Sequence, residues 1–337
     1  MNDTRYTSFL ASYMDSYLKE SRLCGHAAFD IQYSFVTIDR FFKRYGGSAS
    51  YVDKAMYEAW FNTLAGYRNA TIYQHVSVFR RLMIYMCDLG RECYIPRLPR
   101  QMGRERLPKI FSDEEMSRIF KACDSMRCKE HHSESIMIAI PALIRLLYST
   151  GIRVSEALAI KNRDVNFSMH IITLRKTKNG AQRLAPINAT MEAVLRQYLL
   201  YRGKIPVENL DDPDGLLFVS SLGRPVRRNI VLRYFHNVSQ MAGIPYIGDY
   251  QGPRVHDIRH TACVHSMRKL ASEGKDIYCS LPMLSVFMGH KKVMDTEYYL
   301  RLTADMYPEL LKLDSSVSAN INLSFAIICT KNSRFVA

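Results

Sequence analysis

Apolar residues recur at helical intervals through the first 95 residues. Phe9, Leu10, Tyr13, Met14, Tyr17 and Leu18 form one stripe, and Val36, Ile38, Phe41 and Phe42 form a second. A third segment, AMYEAWFNTLAGY, follows Ser50. A fourth, TIYQHVSVFRRLMIYMCDLG, follows the cap-type Asn69 and stops at Gly90. The pattern predicts an all-helical bundle over residues 1–96. Prolines at 96, 99 and 108 then break the periodicity, so 97–109 reads as a linker between two domains.

Beyond the linker, Ser112-Asp113-Glu114-Glu115 has the form of a capping box, leading into EMSRIFKACDS. A long apolar helix follows in SIMIAIPALIRLLYSTG, and then the stretch GIRVSEALAIKNRDVNF. IITLR and AQRLAPI are β-like and flank Asn179-Gly180, which predicts a hairpin. Helices resume at TMEAVLRQYLLYRG, at RRNIVLRYFHNVSQMAG, and from His256 to about Leu270. The expected fold is mainly α with a small β-hairpin or sheet (α+β), its second domain spanning 110–313. The tail 314–337 is weakly patterned, although INLSFAIIC within it is apolar.

Charge narrows the class of partner. The formal net charge is +14, which favours a polyanion. The densest basic stretch is the linker RLPRQMGRERLPK, with five cations against one acid. Arg97, Arg100, Arg104 and Arg106 are therefore candidate DNA contacts. Arg80 and Arg81 on the fourth predicted helix suit either a solvated face or phosphate contacts, and Arg227 and Arg228 opening another helix are further candidates, whose phosphate and base contacts one sequence does not tell apart. No run of 18 apolar residues suggests a membrane span, and the first 20 residues lack the apolar core of an export signal. A cytoplasmic protein with reduced thiols is the expectation. Cys123, Cys128, His131 and His132 lie close in sequence but match no standard zinc spacing, so neither metal nor cofactor is expected.

The candidate chemistry is a scattered cationic set ending in tyrosine. Arg153 lies in TGIRVSEAL, lysines in KTKNGAQR, His256 and Arg259 in HDIRH, His290 in FMGHKK, and two tyrosines in TEYYLRL. Guanidiniums suit non-bridging phosphate oxygens because they grip two at once and stay charged. Histidine and lysine transfer protons, and a tyrosyl hydroxyl is a nucleophile. Each residue has a blander reading. Arg153 could pair with Glu156 on the surface, and His290 could cap a helix. His256 and Arg259 share a helical face, three residues apart, whereas His260 points elsewhere and reads as structural. Adjacent Tyr298 and Tyr299 diverge by about 100°, so one of them faces a site.

Four boxes in order carry a family resemblance. LLYSTGIRVSEALAIKNRDV, the TKNGAQRLAPI hairpin, VHDIRHTAC and LSVFMGHKKVMDTEYYLRL resemble the first arginine box, the lysine hairpin, the His-x-x-Arg box and the closing His and Tyr box of the tyrosine recombinase (phage integrase) family. Residues 1–95 resemble, more weakly, that family's core-binding domain. The resemblance implies a metal-free, ATP-free site-specific recombinase acting through a 3′-phosphotyrosine, on double-stranded DNA and as a homotetramer. It selects Tyr299, nine residues after His290, as nucleophile, and Lys178 over Lys176 as the acid for the leaving 5′-oxygen. It also gives Arg153, Arg259 and His290 the scissile phosphate, while His256, paired with Arg259, reads as a phosphate ligand and candidate proton-transfer partner. A mobile-element integrase is the closest style of match, and the family often passes its C-terminal segment to a neighbouring subunit. The alternatives are a type IB topoisomerase, which keeps the chemistry, and a DNA-binding regulator with a vestigial site. A metal-dependent nuclease is disfavoured, because Asp211, Asp212 and Asp214 sit in a Pro/Gly loop where solvation is the default.

Overall fold

In the computed structural model, residues 6–24, 29–45, 51–100, 108–127, 135–175, 182–248 and 252–290 are described, together with Lys292, Met294, Thr296 and Tyr299. Lys176, Lys178, Arg104, Arg106, Cys128, His131, His132, Tyr298 and the tail 314–337 fall outside them. The chain divides into two compact units, Met1–Leu107 and Pro108–Ala337.

The first unit holds α1 (Ala11–Leu23), α2 (Phe29–Tyr45), α3 (Lys54–Asn62) and α4 (Asn69–Asp88). Their apolar stripes meet in one core, in which Trp60 stacks on Phe79 at 4.5 Å and Phe35, Ile38 and Leu82 are wholly buried. Asp53 caps α3 by accepting from the Met56 amide at 2.7 Å. Asn69 does not cap α4: Arg68 occupies the extended cap position and Asn69 is already helical. Gly90 ends that helix in the left-handed region at φ +79, as its sequence position predicts.

The second unit is also mostly helical. It contains α5 (Asp113–Asp124), α6 (Ala139–Thr150), the single turn α7 (Val154–Ala157), α8 (Ala189–Arg202), α9 (Arg228–Met241), α10 (Val255–Ser272) and α11 (Ile277–Met288). The capping box at Ser112 and Glu115 forms as read. A three-stranded antiparallel sheet inserts between α7 and α8: β1 (Val165–Asn166), β2 (Ile171–Leu174) and β3 (Arg183–Pro186), in the order β1-β2-β3. β1 belongs to a stretch whose sequence shows no strand period, and only its pairing with β2 defines it. In the predicted hairpin, Leu174 pairs with Arg183 and Ile172 with Ala185. Ile172, Leu174 and Ala185 point into the core, which fixes the register, since a one-residue slip would expose all three.

The main core gathers around α6, whose Leu143, Ile144 and Leu146 are fully buried. A satellite cluster lies along the seam of α10 and α11: Cys263, Val264 and Met267 pack against Leu281, Leu284 and Met288, and the ring of Tyr299 belongs to it. That seam positions the site.

Candidate active site

Arg259 sits on the buried face of α10, only 2% exposed. Its Nη1 donates to the Gly151 carbonyl at 2.5 Å and its Nη2 to the Met288 carbonyl at 2.6 Å. Both acceptors are helix ends, the C-terminus of α6 and that of α11, where carbonyls lack helical partners. One guanidinium therefore ties three helices together. Burial, and next the charge of Arg153, pull its pKa down to about 10. A cation held by carbonyls at such desolvation cost is poised to gain from an incoming anion.

Arg153 stands at the extended cap position of α7, immediately after the Gly151 turn. It pairs with Glu156 at 2.8 Å, and its own backbone amide also donates to that carboxylate. The pair suggested by the sequence is real, but it is not a surface pair, because the Glu156 side chain is 1% exposed. Burial pushes the Glu156 carboxyl up, while the Arg153 amide and guanidinium and the charge of Arg183 together hold it below the usual range.

Arg183, which the sequence pattern did not single out, is the third guanidinium of the cluster. From β3 it donates to Glu156 at 3.1 Å and to the Phe287 carbonyl at 2.7 Å. It thus joins the lysine-bearing hairpin to the turn that carries His290. Gly289 makes this approach possible. It has φ +67, and a Cβ there would lie 2.5 Å from Arg183 Nε. Gly151 is similar, at φ +60 with its Cβ direction blocked by the Met288 sulfur at 2.6 Å.

Tyr299, only 4% exposed, lies beside these cations. Its ring is parallel to that of His290, with centroids 5.8 Å apart. His290 in turn hydrogen-bonds through Nδ1 to Thr296 Oγ1 at 2.8 Å. Burial raises the Tyr299 pKa to about 12, with Arg259 and Arg153 opposing the shift by charge and Arg259 also by hydrogen bonding. The Tyr299 hydroxyl lies 3.0 Å from Nδ1 of His260. His260 is therefore not the detached structural residue that its position on the helix suggested. His256, exposed in the first turn of α10, packs edge-to-face on His260 at 4.8 Å. Their i, i+4 spacing was the signal that could have placed His260 at the site.

Among the described predicted residues, Arg153, His256, Arg259, His290 and Tyr299 thus gather around one locus. The lysine choice lies outside the described residues. Arg227 and Arg228, exposed at the start of α9, belong to the second unit. In the first unit Arg97 and Arg100 are exposed. Arg80 donates to the Pro96 carbonyl at 2.7 Å, and Arg81 is exposed with its Nε on the Ser77 carbonyl. Asp211 and Asp214 are each held by cations, Asp211 by Arg202 and Asp214 by Lys161 and Arg163.

Comparison with known proteins supplies independent findings. Residues 109–306 match the model of the phage integrase family. The chain is 32% identical over 246 residues, 72% of its length and 76% of the relative's, to "Putative integrase/recombinase y4rB" of Sinorhizobium fredii. It is 26% identical over 246 residues to tyrosine recombinase XerC of Bacillus subtilis, covering 72% and 73% of the two chains. Among solved structures, the XerH site-specific recombinase in a post-cleavage complex with its difH substrate superposes with a TM-score of 0.62. The superposition covers 90% of this chain and 83% of that one, at 18% identity. A lambda integrase dimer bound to a core site gives 0.60 over 86% and 76%, at 17% identity. These two likenesses are of fold.

Proposed function

The chain belongs to the phage integrase family, and from that premise we propose how its site works. The protein is a tyrosine-type site-specific DNA recombinase. Tyr299 attacks the scissile phosphate, forming a 3′-phosphotyrosine and releasing a 5′-hydroxyl. Attack by a second 5′-hydroxyl then reverses the step on a new partner, so bond energy is conserved and no ATP is consumed. The names of the matched relatives, integrase and recombinase, favour strand exchange over supercoil relaxation.

Arg153 and Arg259 neutralise the charge that grows on the non-bridging oxygens. Both are fixed before substrate arrives, Arg259 by two carbonyls and Arg153 by Glu156, so little reorganisation accompanies the reaction. His290 engages Thr296 through Nδ1, and its Nε2 is assigned to a phosphate oxygen. His256, at the exposed entrance of α10, is a further phosphate ligand. Lys178 is assigned the proton of the leaving oxygen. The observation that carries the reading is the burial of Tyr299 against Arg259 of its own chain, which also makes cleavage act in cis. A homotetramer gripping two duplexes, with residues 1–96 and the basic linker 97–109 on the DNA and the tail 314–337 reaching a neighbour, completes the proposal.

The test is covalent trapping. The full chain is incubated with a pool of nicked duplexes carrying a randomised centre, and SDS-resistant adducts are isolated and sequenced. A single recovered sequence motif, adducts resistant to EDTA, and their loss in Tyr299→Phe are expected. Undiminished adduct in Tyr299→Phe would overturn the nucleophile assignment.

A further inference from the structure

Tyr299 needs somewhere to send its proton. Its hydroxyl is buried and, at neutral pH, protonated, so the attacking oxygen must lose a proton as the bond to phosphorus forms. Arg259, whose charge acts on that hydroxyl, has only donors to offer. His290 lies with its ring parallel to the phenol and engages Thr296 through Nδ1. His260 is different. Its Nδ1 lies 3.0 Å from the Tyr299 oxygen, with ring centroids 5.5 Å apart and planes inclined by 38°. The hydroxyl has one proton to give, and His260 Nδ1 is an acceptor at hydrogen-bonding distance from it. His256, edge-to-face at 4.8 Å, restrains the swing of the His260 ring.

We propose that His260 is the general base for Tyr299. The assignment rests on Tyr299 being the nucleophile. In cleavage the Tyr299 oxygen bonds to phosphorus, its proton passes to His260 Nδ1, and the bond from phosphorus to the 5′-oxygen breaks. The leaving oxygen takes its proton from the separate acid assigned above. In rejoining, the imidazolium returns the proton to the departing Tyr299 oxygen. In this role His260 holds its proton on Nε2 in the resting site and touches a reacting atom through Nδ1. It is thus a catalytic residue that neither the arginine boxes nor the closing box discloses.

Two measurements test the assignment. The first needs no DNA: ¹⁵N-detected histidine spectra of the full chain identify which ring nitrogen carries the proton. A bare Nδ1 on His260 whose shift changes in Tyr299→Phe is expected, and a protonated Nδ1 overturns the proposal. The second uses the duplex recovered by covalent trapping. His260→Gln is expected to slow adduct formation by about 10²–10⁴-fold, the usual worth of a general base. Replacing Tyr299 by a fluorinated tyrosine, whose phenol is more acidic, should shrink that gap by roughly tenfold, because a more acidic nucleophile depends less on a base. A merely structural defect would leave the gap unchanged, and either that result or full activity in His260→Gln defeats the proposal. Persistence of adduct in Tyr299→Phe would instead defeat the nucleophile assignment beneath it, so the two failures are distinguishable.

Discussion

Arg183 and Glu156, 27 residues apart in sequence, meet in a buried ion pair: the guanidinium donates to the carboxylate at 3.1 Å, and the carboxylate is 1% exposed. The same carboxylate receives Arg153 and its amide, so one acid orients two cations. Removing it strands both. Glu156→Ala is expected to lower unfolding free energy by about 3–5 kcal/mol, the usual loss when one partner of a buried pair is deleted. Glu156→Gln, which keeps the shape and part of the hydrogen bonding, should lose less. Urea denaturation of the second unit's signal measures both, and a loss under about 1 kcal/mol in Glu156→Ala would mean that water screens the pair.

The Gly289 backbone makes a second prediction. Alanine there must adopt a left-handed conformation costing about 1–2 kcal/mol and push on a guanidinium already held at two points. Gly289→Ala should therefore reduce covalent adduct formation strongly while leaving the helical circular dichroism intact. Gly151→Ala meets the flexible end of Met288 instead and should be milder. Equal activities in the two variants would remove the argument.

Arg259 holds two carbonyls with two separate nitrogens, a geometry that a single ammonium cannot reproduce. Arg259→Lys should fold and bind DNA, yet lose on the order of 10²–10³ in cleavage rate, the scale of one lost oxyanion donor. Single-turnover adduct formation is the readout.

Acid should weaken both units through buried histidines. His75 is 1% exposed, its Nδ1 is without a hydrogen-bond partner among the described residues, and burial lowers its pKa. Burial, and next Arg268, lower that of His265, which bonds to the Tyr148 hydroxyl at 2.7 Å. A base with a depressed folded pKa binds more protons when unfolded, so stability is full above the unfolded value of about 6.5 and falls as pH drops below it. Melting temperature should decline between pH 7 and 5.5, and His75→Phe should flatten the decline for the first unit. An unchanged slope would show that His75 is not neutral in the fold.

The linker prediction concerns salt. Arg97 and Arg100 are exposed, and each phosphate contact contributes about 0.9 to the slope of log affinity against log salt. Replacing both with alanine should reduce that slope by about 2 for any duplex, without changing which sequence is preferred. Arg80, engaged with the Pro96 carbonyl, should matter less to the slope and more to the stability of the first unit.

Most elements, and several residues of the candidate site, are legible from short intervals along the chain. Helical stripes and the Ser112 capping box are local: each follows from intervals of a few residues, and the stripes from the need to bury one face. The pairing of His256 with Arg259 is local in the same sense, whereas the choice of Tyr299 over Tyr298 came from the family resemblance. The contacts that the chain's packing supplies span long separations. Tyr299 reaches His260 from 39 residues away, Arg183 reaches Phe287 from 104, and Arg259 reaches Gly151 from 108. A helical wheel says which residues share a face, but not which partner that face will meet. Thus His260, one position beyond Arg259, looked detached until the seam of α10 and α11 placed Tyr299 against it. Glu156 looked like a surface partner until β3 brought Arg183 onto its other oxygen. In each case the packing of distant elements excluded water, and that exclusion made a sequence neighbour's charge or lone pair count.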